Sequence, residues 1–247
     1  MIEEIAGNIE KETTLKPPAS GADFNEIEDL IYRRRSVRYF KQKQVPEYLV
    51  RRLLETARFA PSSGNAMPWK FIVIQDRKMI EEMTEDMVSF FRLCCRFLDY
   101  MDSKNPLKEW YAKLMQRLLN NLLHPIPFAA MKLIAEKKLG LWHGAPTVII
   151  MLTDKRCPGD PSLDVGIAGE NLVLAAHSYG LGTCWVSFCT PLKAMPKWRK
   201  RLGIRYPYQL VTSVALGYPR GVPDGYVTRE TTAVDWFAED GTFKVLY

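Results

Sequence analysis

The sequence predicts an α+β fold, because short β-branched runs bounded by turn residues alternate with amphipathic helical stretches and no segment repeats. A hydrophobic content of 47% over 247 residues can bury a substantial core, as one domain or as one domain with an insertion. Residues 1–22 mix charge with Thr, Pro and Gly, and Pro17-Pro18-Ala19-Ser20-Gly21 reads as a linker. An extended N-terminal arm is therefore expected ahead of a domain over 23–247.

Ile27, Leu30 and Ile31 recur at helical spacing and predict a short helix that delivers Arg33-Arg34-Arg35-Ser36-Val37-Arg38-Tyr39-Phe40 as a turn or strand. Pro46 opens the next helix, Leu49, Val50, Leu53, Leu54 and Ala57 trace its apolar face, and Pro61 stops it. Phe71 to Ile74 and Thr147 to Leu152 read as buried strands. Between them, residues 78–143 form a helical insertion rich in Met, Leu, Phe and Lys, patterned over Ile80 to Leu98, Leu107 to Leu123 and Phe128 to Leu139. It reads as a lid or as helices that complete the core. The helix Asp164 to Tyr179 carries Gly166, Ala168, Gly169, Ala175 and Ala176, small enough for another helix to approach in the core or at a subunit contact. After Gly180-Leu181-Gly182 follow a strand from Thr183 to Cys189, a helix near Leu192 to Leu202 and a strand from Gln209 to Leu216. The tail from Thr231 to Tyr247 is apolar enough that it is expected to dock.

The net charge of +6 would suit an anionic partner, but 28 acidic residues interleave with 34 basic ones. No basic helix, aromatic RNA-binding signature or zinc finger accompanies the charge, so nucleic acid is not expected. Cys94, Cys95, Cys157, Cys184 and Cys189 form an odd set without C-x-x-C spacing, which points away from disulfides and iron–sulfur clusters and towards a reducing cytoplasm. Met1 to Glu12 lacks a signal-peptide core, and no run approaches the ~18 apolar residues of a membrane span. His124, His143 and His177 sit in no nucleophile or metal arrangement, so no metal is expected. A G-x-G-x-x-G dinucleotide loop is also missing.

Two blocks carry chemistry. Four arginines and Ser36 within residues 33–38 supply fixed charge and paired donors that match phosphate oxygens. By charge alone this block could equally be a solvated basic turn. One helix later, Pro61-Ser62-Ser63-Gly64-Asn65-Ala66-Met67-Pro68-Trp69 suppresses regular structure and offers Ser62, Ser63 and Asn65 as short polar groups. Together the blocks suggest a phosphorylated, ring-bearing cofactor. A cofactor that brings its own redox chemistry would account for the missing acid–base pair.

Arg34-Arg35-Ser36-Val37-Arg38-Tyr39-Phe40, Ala60-Pro61-Ser62-Ser63-Gly64-Asn65-Ala66-Met67-Pro68-Trp69 and Gly180-Leu181-Gly182-Thr183-Cys184-Trp185 resemble, in order and spacing, the nitroreductase family of FMN-dependent oxidoreductases. Gly217-Tyr218-Pro219, with Arg229 ten positions beyond Pro219, resembles its closing signature. The resemblance implies a mixed central sheet of four or five strands wrapped by helices, in an intertwined homodimer with FMN at the subunit interface. It further implies that Arg34, Arg35 and Ser36 hold the FMN phosphate with Arg229, and that Arg38 approaches the pyrimidine edge. Ser62, Ser63 and Asn65 would come from the partner subunit. Trp185, Val186 and Ser187 would pass the central flavin ring, where a backbone N–H can meet N5, and Phe188 would extend that wall.

The implied reaction is ping-pong: NADH or NADPH reduces the flavin at N5, and an electron-poor small molecule such as a nitroaromatic or quinone is reduced in turn. No side chain is a nucleophile in that scheme. A reduced ferredoxin or flavodoxin stays open as the donor. Reductive dehalogenation, dehydrogenation of a peptide-derived ring and flavin breakdown are other chemistries of related scaffolds, and a non-catalytic anion-binding module is the alternative outside enzymes. Three departures stand out. Met67 replaces a common Gln, the insertion over 78–143 is long, and the N-terminus has no cysteines for the clusters of a ferredoxin module.

Overall fold

The structure is a computed structural model that describes residues 24–98, 106–107, 109–111, 114, 125–221, 225–226 and 232–246. It divides into two compact units, Arg35–Val222 and a smaller one made of Met1–Arg34 with Pro223–Tyr247. The expected arm over 1–22 and most of the expected helix from Leu107 to Leu123 lie outside the described residues.

In the larger unit, β2 (Thr147–Asp154) is the strand on which the sheet is built. Its sequence Thr-Val-Ile-Ile-Met-Leu-Thr-Asp is β-branched and apolar, and all eight positions are buried. β1 (Trp69–Ile74) lies antiparallel on one side, with Trp69 opposite Thr153 and Ile74 opposite Val148. β4 (Tyr208–Gly217) lies antiparallel on the other, with Thr147 opposite Leu216 and Asp154 opposite Tyr208. β3 (Gly182–Val186) pairs with β4, which gives the order β1-β2-β4-β3. A parallel contact, the bridge between Ser36 and Thr183, makes the sheet mixed.

Successive side chains of β2 serve opposite faces. Ile149 and Met151 pack with Val50, Leu53 and Ala57 of α2 (Glu47–Arg58) and with Val165, Ala168 and Leu172 of α5 (Pro161–Ser178). Val148, Ile150 and Leu152 pack with Met83, Met87 and Phe91 of α3 (Arg77–Leu98) and with Phe128, Met131 and Ile134 of α4 (Pro125–Ala135). The described ends of the 78–143 segment thus complete the core. The result is a sheet with helices on both faces.

Pro161 opens α5, where the Asp160 carboxylate accepts the N–H groups of Ser162 and Leu163. The small residues of this helix have a partner that their spacing did not suggest. Gly169 leaves room for the Trp185 indole, which would collide with a Cβ at that position.

The expected strand from Thr183 to Cys189 stops at Val186, and Ser187–Ala194 winds as a 3-10 helix with Pro191 inside it. The expected helix from Leu192 to Leu202 is reduced to α6 (Pro196–Arg201). Met195, which precedes Pro196, is held in the extended region at φ −91° and ψ 109°, as the pyrrolidine ring requires of its neighbour.

The smaller unit contains α1 (Glu26–Arg33), closed at its start by a capping box between Asn25 and Glu28. Tyr226 donates its hydroxyl to Asp29 and packs edge-on against Phe24 and Tyr32. The tail forms a hairpin, β5 (Val234–Phe237) against β6 (Phe243–Leu246), that leaves Trp236 and Phe237 exposed. No helix among the described residues is long and apolar enough to cross a membrane.

Two glycines of α5 should respond oppositely to alanine. Nothing lies within 4 Å of a Cβ at Gly166, so Gly166→Ala should stabilise by about 0.5–1 kcal/mol through lost unfolded-state freedom. Gly169→Ala must displace Trp185 and should destabilise by about 1–3 kcal/mol. Urea unfolding midpoints of the two variants test the pair.

Candidate functional site

The arginine segment of the larger unit is fastened to the outer edge of β3. Val37 N–H donates to the Thr183 carbonyl at 2.8 Å, and Val37 covers Gly182, where an added Cβ would sit 2.8 Å from the valine Cβ. Further on, Phe40 is buried and bridged to Pro219, and Arg220 N–H donates to the Tyr39 carbonyl at 2.9 Å. These anchors hold Arg35 half-buried and Ser36 and Arg38 exposed. Arg34 belongs to the smaller unit, where its N–H caps α1 through the Leu30 carbonyl. Arg229 lies outside the described residues.

Backbone groups along an edge strand point alternately to the two sides. Since the Thr183 carbonyl faces Val37, the backbone of Trp185 faces the same outer side, and that of Cys184 and Val186 faces β4. Trp185 is half-buried above Gly169, Val186 is buried and Ser187 is exposed. Phe188 is half-buried, edge-on to Phe91 with ring centroids 5.9 Å apart.

Behind this strand lies a polar group that the sequence reading missed. The fully buried Ser213 donates its hydroxyl to the Val186 carbonyl at 2.8 Å and accepts the Trp142 Nε1–H at 3.1 Å. The Cys189 thiol adjoins the same hydroxyl, and burial pushes its pKa up to about 12, so it stays neutral. A hydroxyl pair, Thr212-Ser213, inside an otherwise apolar strand was the available signal.

The loop before β1 is held in an uncommon shape. Gly64, Asn65 and Met67 have φ of 59°, 53° and 48°, a region that Asn tolerates and that costs a Met roughly 1–3 kcal/mol. The Ser62 hydroxyl offsets part of this by accepting Met67 N–H at 2.9 Å. Ser63 donates its N–H to buried Asp164 at 3.3 Å and turns its hydroxyl onto Gly159. Asn65 is exposed.

Strand register separates the two blocks. Ser36 meets Thr183, which is level with Leu216 and Thr147, whereas the loop enters β1 at Trp69, level with Thr153. Six residues along β2 amount to about 20 Å, and the three strand spacings from β3 to β1 add about 14 Å sideways. Ser36 and Arg38 therefore share an edge with Trp185 to Ser187, and Ser62, Ser63 and Asn65 stand at the opposite edge and opposite end.

The nitroreductase family model matches residues 31–218. The chain belongs to the nitroreductase family. Nitrobenzene nitroreductase of Ectopseudomonas oleovorans is 27% identical over 198 residues, which cover 78% of this chain and 86% of that protein. Human iodotyrosine deiodinase 1 is 28% identical over 201 residues, covering 78% of this chain and 61% of the human one. A nitroreductase with bound FMN from Desulfitobacterium hafniense DCB-2 shares the fold with a TM-score of 0.62 at 23% identity, over 84% of this chain and 96% of that one.

In this nitroreductase-family chain, His143 has φ 55° and is half-buried. Burial, and then the charge of Arg38, hold its pKa below the ordinary 6.5. As pH falls, the unfolded chain binds the proton first, so stability declines from near pH 6.5 until the lower folded-state value has been passed. His143→Asn, which accepts the same backbone, should flatten this loss between about pH 7 and pH 5, read as the pH dependence of urea midpoints.

Proposed function

We propose that two copies of this chain bind FMN in clefts they share and use it to reduce an electron-poor small molecule, a nitroaromatic or quinone, with NADH or NADPH as donor. The observation that carries this reading is the register separation. One chain holds its basic segment and its polar loop too far apart for a single cofactor, and a second copy, packed with its loop over the first copy's β3 edge, would complete the site. Exposed Trp236, Phe237 and Phe243 on the β5–β6 hairpin are of the kind that a second copy covers.

The residues fit the group. Arg34, Arg35 and Ser36, joined by Arg229, would grip the phosphate with charge-assisted bonds. Arg38 would face the pyrimidine edge, and the outward backbone groups at Trp185 and the Ser187 N–H, with Val186 between them, would line the central ring. Of the second copy's Ser62, Ser63 and Asn65, the exposed Asn65 amide is the freest, because Ser62 already serves Met67 and Ser63 turns onto Gly159. When bound, FMN supplies hydride acceptance and donation at its N5. The chain's own part is to hold the ring, donate hydrogen bonds to it and admit substrates to its face.

Five free cysteines suit a reducing cytoplasm. Reductive dehalogenation is the second reading, favoured by the similarity to iodotyrosine deiodinase. Anaerobic assays with a nitroaromatic, a quinone and a halogenated phenol, each with NADH, NADPH and reduced ferredoxin or flavodoxin, separate the two readings and identify the donor.

Purified protein should be yellow and dimeric by sedimentation, and colourless protein that gains no flavin on titration would refute the proposal. Arg34→Ala, Arg35→Ala and Arg229→Ala should each weaken FMN binding by about 10- to 100-fold. Co-expressed Arg35→Ala and Asn65→Ala chains should form mixed dimers with one intact site and one doubly altered site. Such dimers that bind no better than either parent would rule out a site built from both chains.

A further inference from the structure

We infer that Trp142 and Ser213 form a buried hydrogen-bond chain that aims the Ser187 amide N–H at the bound flavin, which makes Ser213 a positioning residue for electron transfer. This rests on the FMN reading above and adds two residues outside the proposed cofactor contacts.

The argument begins with the peptide plane. Val186 C=O and Ser187 N–H belong to one rigid trans peptide and point in opposite directions. The Ser213 hydroxyl holds that carbonyl towards β4 at 2.8 Å, so the Ser187 N–H is turned to the free side of β3. That is the side on which Val37 reaches the Thr183 carbonyl and on which the basic segment runs.

Position gives this bond its weight. Val186 and Ser213 form the last paired rung between β3 and β4, and the chain turns into a 3-10 helix at Ser187. No rung follows, so the hydroxyl is the last restraint that β4 adds to this peptide, beside the final rung of the ladder. A serine has one O–H to give and could rotate to another acceptor. The Trp142 Nε1–H narrows that freedom, because indole only donates: it takes one lone pair of the Ser213 oxygen and leaves the serine hydrogen for the Val186 carbonyl. The neighbouring Cys189 thiol is held neutral by burial and brings no charge to the chain. Trp142 and Ser213 are 2% and 0% exposed, so water does not compete for either bond.

An amide N–H aimed at the flavin centre strengthens as electron density rises there, and so favours the reduced state. A wobbling peptide loses part of that effect without releasing the cofactor, whose phosphate is gripped elsewhere.

The test compares FMN-loaded wild type, Ser213→Ala, Ser213→Thr and Trp142→Phe. Ser213→Ala should shift the bound flavin's midpoint potential to more negative values and slow its single-turnover reduction about tenfold, with the FMN Kd changed by less than about threefold. Ser213→Thr, which keeps the hydroxyl, should restore both, and Trp142→Phe should shift both in the same direction as alanine by a smaller amount. Should Ser213→Ala fail to fold, Trp142→Phe and Ser213→Thr carry the comparison. Wild-type potential and rate in the soluble hydroxyl-free or indole-free variant overturn the inference, as does a threonine variant as impaired as alanine. Wild-type protein that takes up no FMN refutes the reading beneath it instead.

Discussion

Burial of β2 on both faces is the constraint from which the other placements follow. Val148, Ile150 and Leu152 belong to one core and Ile149 and Met151 to the other, so a slip by one residue would exchange the contents of two filled layers. The register with β1 and β4 is fixed by the same packing, and with it the distance between the loop that enters β1 and the segment that borders β3. Neither block can move towards the other without dismantling the layer between them, and the two-chain site proposed above rests on that separation.

The outer edge of β3 is divided between packing contacts and the proposed cofactor contacts. An exposed edge is a pairing hazard, and Ser36 and Val37 cover its beginning at Thr183. The remainder offers main-chain groups outward, which a planar cofactor can use and which do not depend on side-chain identity. Gly169 beneath Trp185 lets the indole lie against α5. The polar atoms buried beneath the strand, Trp142 Nε1 and Ser213 Oγ, are tolerable because each has a partner.

Contiguous features were readable from the chain. The strands at Phe71 to Ile74, Thr147 to Leu152 and Gln209 to Leu216 are apolar runs with breakers at their ends, and the polar blocks at 33–38 and 61–69 are local motifs. The strand pattern runs on through Val186-Ser187-Phe188-Cys189, whereas Pro191 imposes a turn and β3 ends at Val186. The β5–β6 hairpin carries an Asp240-Gly241 turn signal between two apolar runs. The separation of the blocks depends on pairing between distant strands. The Trp142–Ser213 bond joins residues 71 apart, and no local pattern encodes such a contact.

Met67 illustrates what such a site tolerates. It sits at φ 48°, in a backbone conformation that disfavours it, yet the loop keeps its shape. The reason is that the turn is held through the Met67 N–H, which every residue except proline supplies, and through the Ser62 hydroxyl that accepts it. The side chain itself is 49% exposed and makes no demand on the fold. What this position presents outward is a polarisable thioether, which favours apolar and aromatic partners. A scaffold fixed by backbone bonds and buried strands leaves such an exposed position free to change without loss of the loop's shape.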